Sequence, residues 1–345
     1  MTNSPTVDVR SDTVTRPTPP MLQAMMSAHV GDDVYGEDET VNELQRRAAT
    51  LFGKESALFC PSGTMTNQIA IKVHTQPGDE VVCDRLAHIY LYEGGGIAVN
   101  SHASVRLLEG TNGRFTAADV RDAVNLRSDS HLPHTSLVAL ENTVNKGGGC
   151  CWDLAEIRRI RKVCDEEKLA LHLDGARLFN ALVERSEQPR QYGELFDTIS
   201  ICLSKGLGAP AGSLLLGSHA DIRRAHRIRK VLGGAMRQAG YLAAAGLYAL
   251  EHHVARLKDD HRRARALAGE LQGLPFVAAT LPVETNIVIF RLDDSTPTDA
   301  FLAHLRARGV MAGSIGKQLV RFVFHLDVTD AQCEVLLAAL KSYRH

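Results

Sequence analysis

Lys205 is the residue in this sequence with the clearest chemical potential. It follows the largely apolar run Thr198-Ile-Ser-Ile-Cys-Leu-Ser204, and Gly206 and Gly208 come directly after it. Lost solvation there favours the neutral amine. A neutral amine attacks a carbonyl carbon to form a Schiff base. The ordinary alternative is a strand-end lysine reaching back to solvent. Three other features sit in the same kind of place. Asp174 closes the apolar run Leu171-His172-Leu173, and a carboxylate buried there needs a partner. That partner could be Arg177, the start of the next helix, or a cationic ring nitrogen. Pro61-Ser62-Gly63-Thr64 leaves an apolar run and opens a helical pattern. Backbone N–H groups at a helix start, with hydroxyls beside them, make an anion cradle, although a Ser N-cap looks the same. His88, in Arg85-Leu-Ala-His88-Ile-Tyr90, could stack on a planar ligand, or simply cap or pack.

Taken together the four describe one chemistry. A phosphate cradle, a planar stacker, a buried carboxylate and a desolvated lysine, in that chain order, fit pyridoxal phosphate. Asp174 and Lys205 are about one strand–helix–strand unit apart, which sets them on neighbouring strand ends.

The elements that must position these residues are readable. Strand-like runs fall at 57–60, 80–84, 104–108, 137–142, 169–174, 198–204 and 212–217, with helical patterns between most of them. Such alternation argues for an α/β domain with a mostly parallel sheet. Ligands of such sheets bind at the carboxyl ends of the strands, where all four features lie. The segment Asp153 to Cys164 carries a capping-box pattern, Asp153 with Glu156, then Leu154, Ile157, Ile160 and Cys164 at helical spacing. The last third changes character. It is helix-rich over 239–271, strand-like at 285–290 and 319–324, and helical at 298–308 and 331–343. This predicts a large domain over 1–250 and a smaller α+β domain over 251–345.

Composition narrows the partners. Lys and Arg total 39 and Asp and Glu 40 in 345 residues. That balance lacks the basic field that nucleic acid or an anionic membrane requires. The start of the chain shows no basic-then-apolar leader pattern. The longest strongly apolar stretch, 242–250, is half a membrane span. Seven cysteines without a C-x-x-C pair or zinc spacing read as reduced, mostly buried thiols. The expectation is a cytoplasmic protein with no catalytic metal, no nucleic-acid partner and no membrane. Walker, dinucleotide-fingerprint, H-E-x-x-H and G-x-S-x-G motifs are all absent.

A set of motifs across nearly the whole chain carries a resemblance. They are Asp8-Val-Arg-Ser-Asp-Thr-Val-Thr-Arg-Pro-Thr18, Gly31-Asp-Asp-Val-Tyr-Gly-Glu-Asp38, Pro61-Ser-Gly-Thr64, Leu171-His-Leu-Asp-Gly-Ala-Arg177, Leu203-Ser-Lys-Gly-Leu-Gly208 and Gly233-Gly-Ala-Met-Arg-Gln238. The sequence resembles the low-specificity L-threonine aldolases, fold-type-I pyridoxal-phosphate enzymes of the aspartate-aminotransferase superfamily. The resemblance implies a mostly parallel seven-stranded sheet in the large domain. It implies cleavage of L-threonine, L-allo-threonine and other β-hydroxy-α-amino acids to glycine and an aldehyde. It makes Lys205 the cofactor's Schiff-base lysine, Asp174 the carboxylate on the pyridine nitrogen, and His88 the stacking group and candidate base. Gly63 and Thr64 match phosphate binders. Ser11, Arg177 and Arg321 match groups that hold the substrate carboxylate. Tyr35, Lys230 and Arg237 match residues offered across a subunit interface, which implies a homo-oligomer, a dimer of dimers, with shared sites.

One position departs from the family. Its members usually read Glu-Asn-Thr-His-Asn, where this chain reads Glu141-Asn-Thr-Val144-Asn145. The usual histidine lies near the substrate hydroxyl, and Val144 cannot accept a proton. Alternatives on the same scaffold are a β-eliminating lyase and an aldolase for aromatic β-hydroxy amino acids. A further alternative is a silent ligand-binding relative, against which the intact Lys205, Asp174 and Arg177 set argues.

Overall fold

The alternating pattern folds as a layered α/β unit joined to a smaller sheet. The computed structural model describes residues 7–344. Its strands are β1 (Val7–Asp8), β2 (Ser56–Cys60), β3 (Glu80–Asp84), β4 (Ser104–Leu108), β5 (Thr135–Glu141), β6 (Ala170–Gly175), β7 (Thr198–Cys202) and β8 (Ser213–Gly217). The later strands are β9 (Val277–Thr280), β10 (Ile287–Leu292), β11 (Val310–Met311), β12 (Gly313–Gly316) and β13 (Leu319–Val323).

Seven strands form one sheet in the order β2-β8-β7-β6-β5-β3-β4. Strands β3 to β7 pair parallel. Only β8 runs against both of its neighbours. The register sets Glu141 beside Asp174 and Asp174 beside Ser200. The run expected to continue to 204 leaves the sheet after Cys202, because the chain turns there to present Lys205. Gly208 N–H closes that turn on Lys205 C=O at 2.8 Å. Gly208 has φ of +80°, a value that only glycine adopts without strain.

Helix Leu154–Glu167 forms where its periodicity places it, but the capping box does not close. The Asp153 side chain caps Ala155 N–H at 2.9 Å. Glu156 turns instead to Ala117 N–H, at 2.7 Å. A tertiary acceptor role has displaced the local one.

The second sheet has the order β12-β13-β10-β9, all antiparallel. Phe276, Phe290, Phe301, Phe322 and Tyr343 gather against it in their own core. Val7 and Val9 belong to this core, since β1 pairs parallel with β11. Helix Leu257–Leu271 runs from one core into the other. Leu257 packs in the first, and Ala264, Leu267 and Leu271 pack in the second. All seven cysteines are free, and six are buried. Among the described residues no helix is long and apolar enough to cross a membrane.

Candidate active site

The carboxyl ends of β2, β3, β6 and β7 converge on a cavity of about 210 Å³ that touches Ser62, Gly63, Thr64, His88, Asp174 and Lys205. A second chamber of about 320 Å³ adjoins it. The two share Thr13, His88 and Lys205. Ser11, Tyr92, Asn145, Arg177 and Arg321 line the outer one. Lys205 is half-buried at their junction.

The inner chamber is built for an anion at one end. Ser62 caps helix Gly63–His74 by accepting from Met65 N–H at 3.2 Å. The N–H groups of Gly63 and Thr64 are left at the helix start, where partial positive charge collects. A Cβ on Gly63 would lie 2.5 Å from Cys202 Sγ. Only glycine lets the helix start this close to β7.

Asp174 is almost fully buried. Its Oδ2 accepts from Asn67 Nδ2 at 2.9 Å, and its Oδ1 accepts from Ala176 N–H at 3.1 Å. Its partner is therefore not Arg177. Arg177 forms a buried two-point ion pair with Asp12, Nε to Oδ2 at 2.7 Å and Nη2 to Oδ1 at 2.6 Å. Nη1 is left for a ligand.

Arg321 completes the outer chamber. It donates from Nη1 to Asn145 Oδ1 at 2.7 Å and from Nη2 to Arg10 C=O at 3.1 Å. Among the described residues its Nε is buried without a hydrogen-bond partner. Burial, with the Arg177 cation beside it, pushes Arg321 below its ordinary pKa. Asp12 balances one of the two guanidiniums, and the positive charge that remains at Arg321 would be balanced by an anion in the chamber. A carboxylate suits an arginine fork. Ser11 lines the same chamber, and its Oγ accepts from Thr13 Oγ1 at 2.9 Å.

A buried carboxyl ties two loops of the site together. Glu141 Oε2 accepts from His88 N–H and its Oε1 from Asn145 N–H, both at 2.8 Å. Burial, with Asp174 nearby, pushes Glu141 up to about 7. His172, from the same motif as Asp174, is buried and neutral. Burial takes it down to about 4.

The whole chain has close relatives. A family model described as β-eliminating lyase matches residues 8–295. The low specificity L-threonine aldolase of Escherichia coli K12 is 41% identical over 338 residues, covering 98% of this chain and 99% of that protein. The chain belongs to the low-specificity L-threonine aldolase family. A probable low-specificity L-threonine aldolase 2 of Arabidopsis thaliana is 39% identical, covering 99% of this chain and 98% of the relative. The fold-type-I architecture is shared with a solved Leishmania major threonine aldolase. That structure has a TM-score of 0.83 and 23% identity, and the match covers 97% of this chain and 98% of that one.

The residues that the family resemblance assigns fall into three groups. Gly63, Thr64, His88, Asp174 and Lys205 line the inner chamber, and Ser11, Arg177 and Arg321 line the outer one. Tyr35, Lys230 and Arg237 line neither and are exposed. They do lie close together on the surface. Arg237 pairs with Asp32 at 2.9 Å, and Arg229, beside Lys230, pairs with Asp33 at 2.8 Å. Val144 also lines neither chamber. It is 1% exposed, and its Cγ1 lies 2.6 Å from where a Gly113 Cβ would be. Val144 is therefore a core residue here, and Asn145 is its neighbour that faces the chamber.

Pyridoxal phosphate fits these residues. The open helix start and Thr64 suit its phosphate, Asp174 its ring nitrogen, His88 its ring face and Lys205 its aldehyde. The residues missed in the sequence are Asp12, Asn67, Glu93 and Asn145. Asp12 and Asn145 lie inside runs quoted for the resemblance, but neither breaks an apolar strand pattern or shows by its spacing which side chain it meets. Asn67 and Gln68 are on the polar side of a helix pattern, yet both are buried because the helix is enclosed nearly all round.

Proposed function

We propose that this chain is a pyridoxal-phosphate-dependent aldehyde-lyase. It cleaves L-threonine and L-allo-threonine, and other β-hydroxy-α-amino acids, to glycine and an aldehyde. The observation that carries the reading is the placement of one amine, Lys205, between a buried carboxylate and a pair of arginines in two connected chambers. Full-length similarity to low-specificity L-threonine aldolases supports it.

Bound in the inner chamber, the cofactor supplies an electron sink for the pair released when the Cα–Cβ bond breaks. The chain's own groups do the rest. Asp174 holds the proton on the ring nitrogen. Arg177 Nη1 and Arg321 grip the substrate carboxylate, which fixes the orientation of the Cα–Cβ bond. His88 accepts the β-hydroxyl proton as that bond opens and the aldehyde leaves. A proton returned at Cα completes glycine.

A second copy of the chain completes the working unit in this reading. Tyr35, Lys230 and Arg237 form an exposed cluster away from their own chambers, which supports their service to a neighbour in a dimer of dimers. Seven free cysteines suit a reducing, cytoplasmic setting.

The purified protein should take up pyridoxal phosphate, turn yellow and release acetaldehyde from threonine isomers. Lys205→Ala should abolish turnover, and a variant with full turnover would sink the mechanism. The family model is named for β-elimination. Ammonia and a keto acid as products, with no glycine, would select that chemistry instead.

A further inference from the structure

We propose that Glu93 and Asn67 are positioning residues that lock His88 as its Nδ1–H tautomer, so that only the lone pair of Nε2 meets the ligand chamber. The inference rests on the functional reading above and deepens it by assigning the state of its base.

The argument begins at Glu93. The residue follows the short helix His88–Leu91, and its side chain is fully buried. Its Oε1 accepts from Asn67 Nδ2 at 2.9 Å and lies 3.0 Å from His88 Nδ1. Its Oε2 accepts from Gln68 Nε2 at 2.6 Å. The orientations of both amides are fixed from their other ends. Asn67 Oδ1 faces His172 Nε2 at 3.2 Å, and Asn67 Nδ2 also donates to Asp174 Oδ2. Gln68 Oε1 accepts from Asn100 Nδ2 at 3.3 Å. Both amides are thus donors to Glu93, and the one group against it that could take a carboxyl proton is His88 Nδ1. An imidazole is a stronger base than a carboxylate, so Glu93 is the ionised acceptor and His88 Nδ1 carries the hydrogen. Among the described residues Nε2 makes no hydrogen bond, and the imidazole lines both chambers.

One amide holds two opposed arms of the site. Asn67 Nδ2 bonds the carboxylate meant for the ring nitrogen and the carboxylate that orients the stacking imidazole. The ligand atoms of His88, Glu93 and Asp174 all lie within 4.8 Å of one another. In so closed a setting, charge-assisted bonds are short, strong and directional. The groups that charge His88's surroundings are Glu93, Asp174 and Glu141 on one side and Lys205, Arg177 and Arg321 on the other. Burial works against the imidazolium. The Glu93 bond and the nearby carboxylates outweigh it, and His88 is raised above its ordinary value. The base form is then complete only above the usual histidine range.

Side-chain nitrogen NMR of histidine-labelled full-length protein reads the tautomer, with and without pyridoxal phosphate. The His88 signals are assigned by their loss in His88→Phe. The wild type should show Nδ1 protonated and Nε2 bare on the alkaline side. Glu93→Gln should shift His88 toward Nε2–H and move the acid limb of kcat/KM to lower pH. It should lower kcat about tenfold or more, within the range for a misplaced general base. That loss should vanish in a His88→Phe background, because Glu93 acts through His88. A purely structural Glu93 would instead give the same loss in both backgrounds. If Glu93→Gln does not fold, Glu93→Asp withdraws the carboxylate from His88 and should give a mixed tautomer. An unchanged tautomer in the folded variant, or equal losses in the two backgrounds, overturns the proposal. Absence of cofactor uptake or aldehyde release overturns the functional reading alone, since the tautomer is also read in the cofactor-free chain.

Discussion

Replacing Asp12 by Asn should separate the two jobs of the buried Asp12–Arg177 pair, stability and aim. Both residues are buried and meet in a two-point fork at 2.6 and 2.7 Å. Burial raises the Asp12 carboxyl, but Arg177, with Lys205 and His325 behind it, wins and holds it at about 2. A carboxyl depressed in the folded state stabilises the protein above its unfolded value, and that stabilisation is lost as pH falls through the folded value. Holding the carboxyl that far below its ordinary value corresponds to about 2 kcal/mol of pH-dependent stability. Removing one partner leaves a buried cation unpaired, which costs roughly 3–5 kcal/mol. Asn keeps one acceptor oxygen, so the low end of that range applies, about 3 kcal/mol. Urea denaturation of the cofactor-free chain near neutral pH should show the midpoint falling with an unchanged slope. The gap between wild type and variant should narrow as the pH approaches about 2. KM should rise about tenfold or more with a smaller change in kcat if, as proposed, Arg177 grips the substrate carboxylate and Asp12 aims it there. Equal stability at neutral pH, or a gap that stays constant into acid, would refute the assignment of this energy to charge.

Three further outcomes follow from the geometry. Gly63→Ala drives a methyl into Cys202 Sγ and should weaken pyridoxal phosphate binding about tenfold or more, measured by absorbance titration. Adding Cys202→Ala should recover part of the affinity, since it removes the clash without touching the cradle. Glu141 is a carboxyl raised to about 7, so its contribution is present in acid and lost as pH rises through about 7. The wild type's melting temperature should fall across this window, and Glu141→Gln should flatten the fall. Val144→His should lower stability by roughly 1–3 kcal/mol, as overpacking does, and leave the ratio of rates on threonine and allo-threonine unchanged. A changed ratio in a stable variant would place this side chain in the substrate chamber after all.

Much of this architecture was legible in the sequence, for a physical reason. Seven strand-like runs, most of them apolar and buried, read as strands, and all seven begin and end within two residues of the structure. The run from 198 overran its end because Leu203 and Ser204 look like strand and in fact form the turn. The reversal of β8 was not legible, since a buried strand has the same composition in either direction. The chemistry at strand ends was legible where a residue type broke an apolar run, as at Asp174 and Lys205. Partners were not. Arg177 sits three residues from Asp174 and yet binds Asp12, 165 residues away. Glu93, between the Tyr90-Leu-Tyr92 run and the glycines Gly94–Gly96, gave no sign of the three side-chain contacts it makes beside the site. Val144 stood out as a missing histidine by comparison with the family. The backbone instead turns that side chain into the core and leaves Asn145 to face the chamber.

The pairing of β1 with β11 bears on how the site comes into being during synthesis. Residues 7–12 carry Ser11 and Asp12, the counter-ion of Arg177. Their anchors, within residues 310–325, are made long after them. Val7 pairs with Val310, Val323 N–H donates to Val9 C=O at 2.9 Å, and His325 Nε2 meets Asp8 C=O at 2.9 Å. The large sheet can close once β8 has emerged, and chains fold from their beginning as they are made. Residues 7–12 must therefore wait for residues 310–325 before they can dock in this arrangement. Until then the Asp12 carboxylate and the Arg10 carbonyl are not held against Arg177 and Arg321. The order of the chain thus makes the outer chamber one of the later parts of the fold to be assembled.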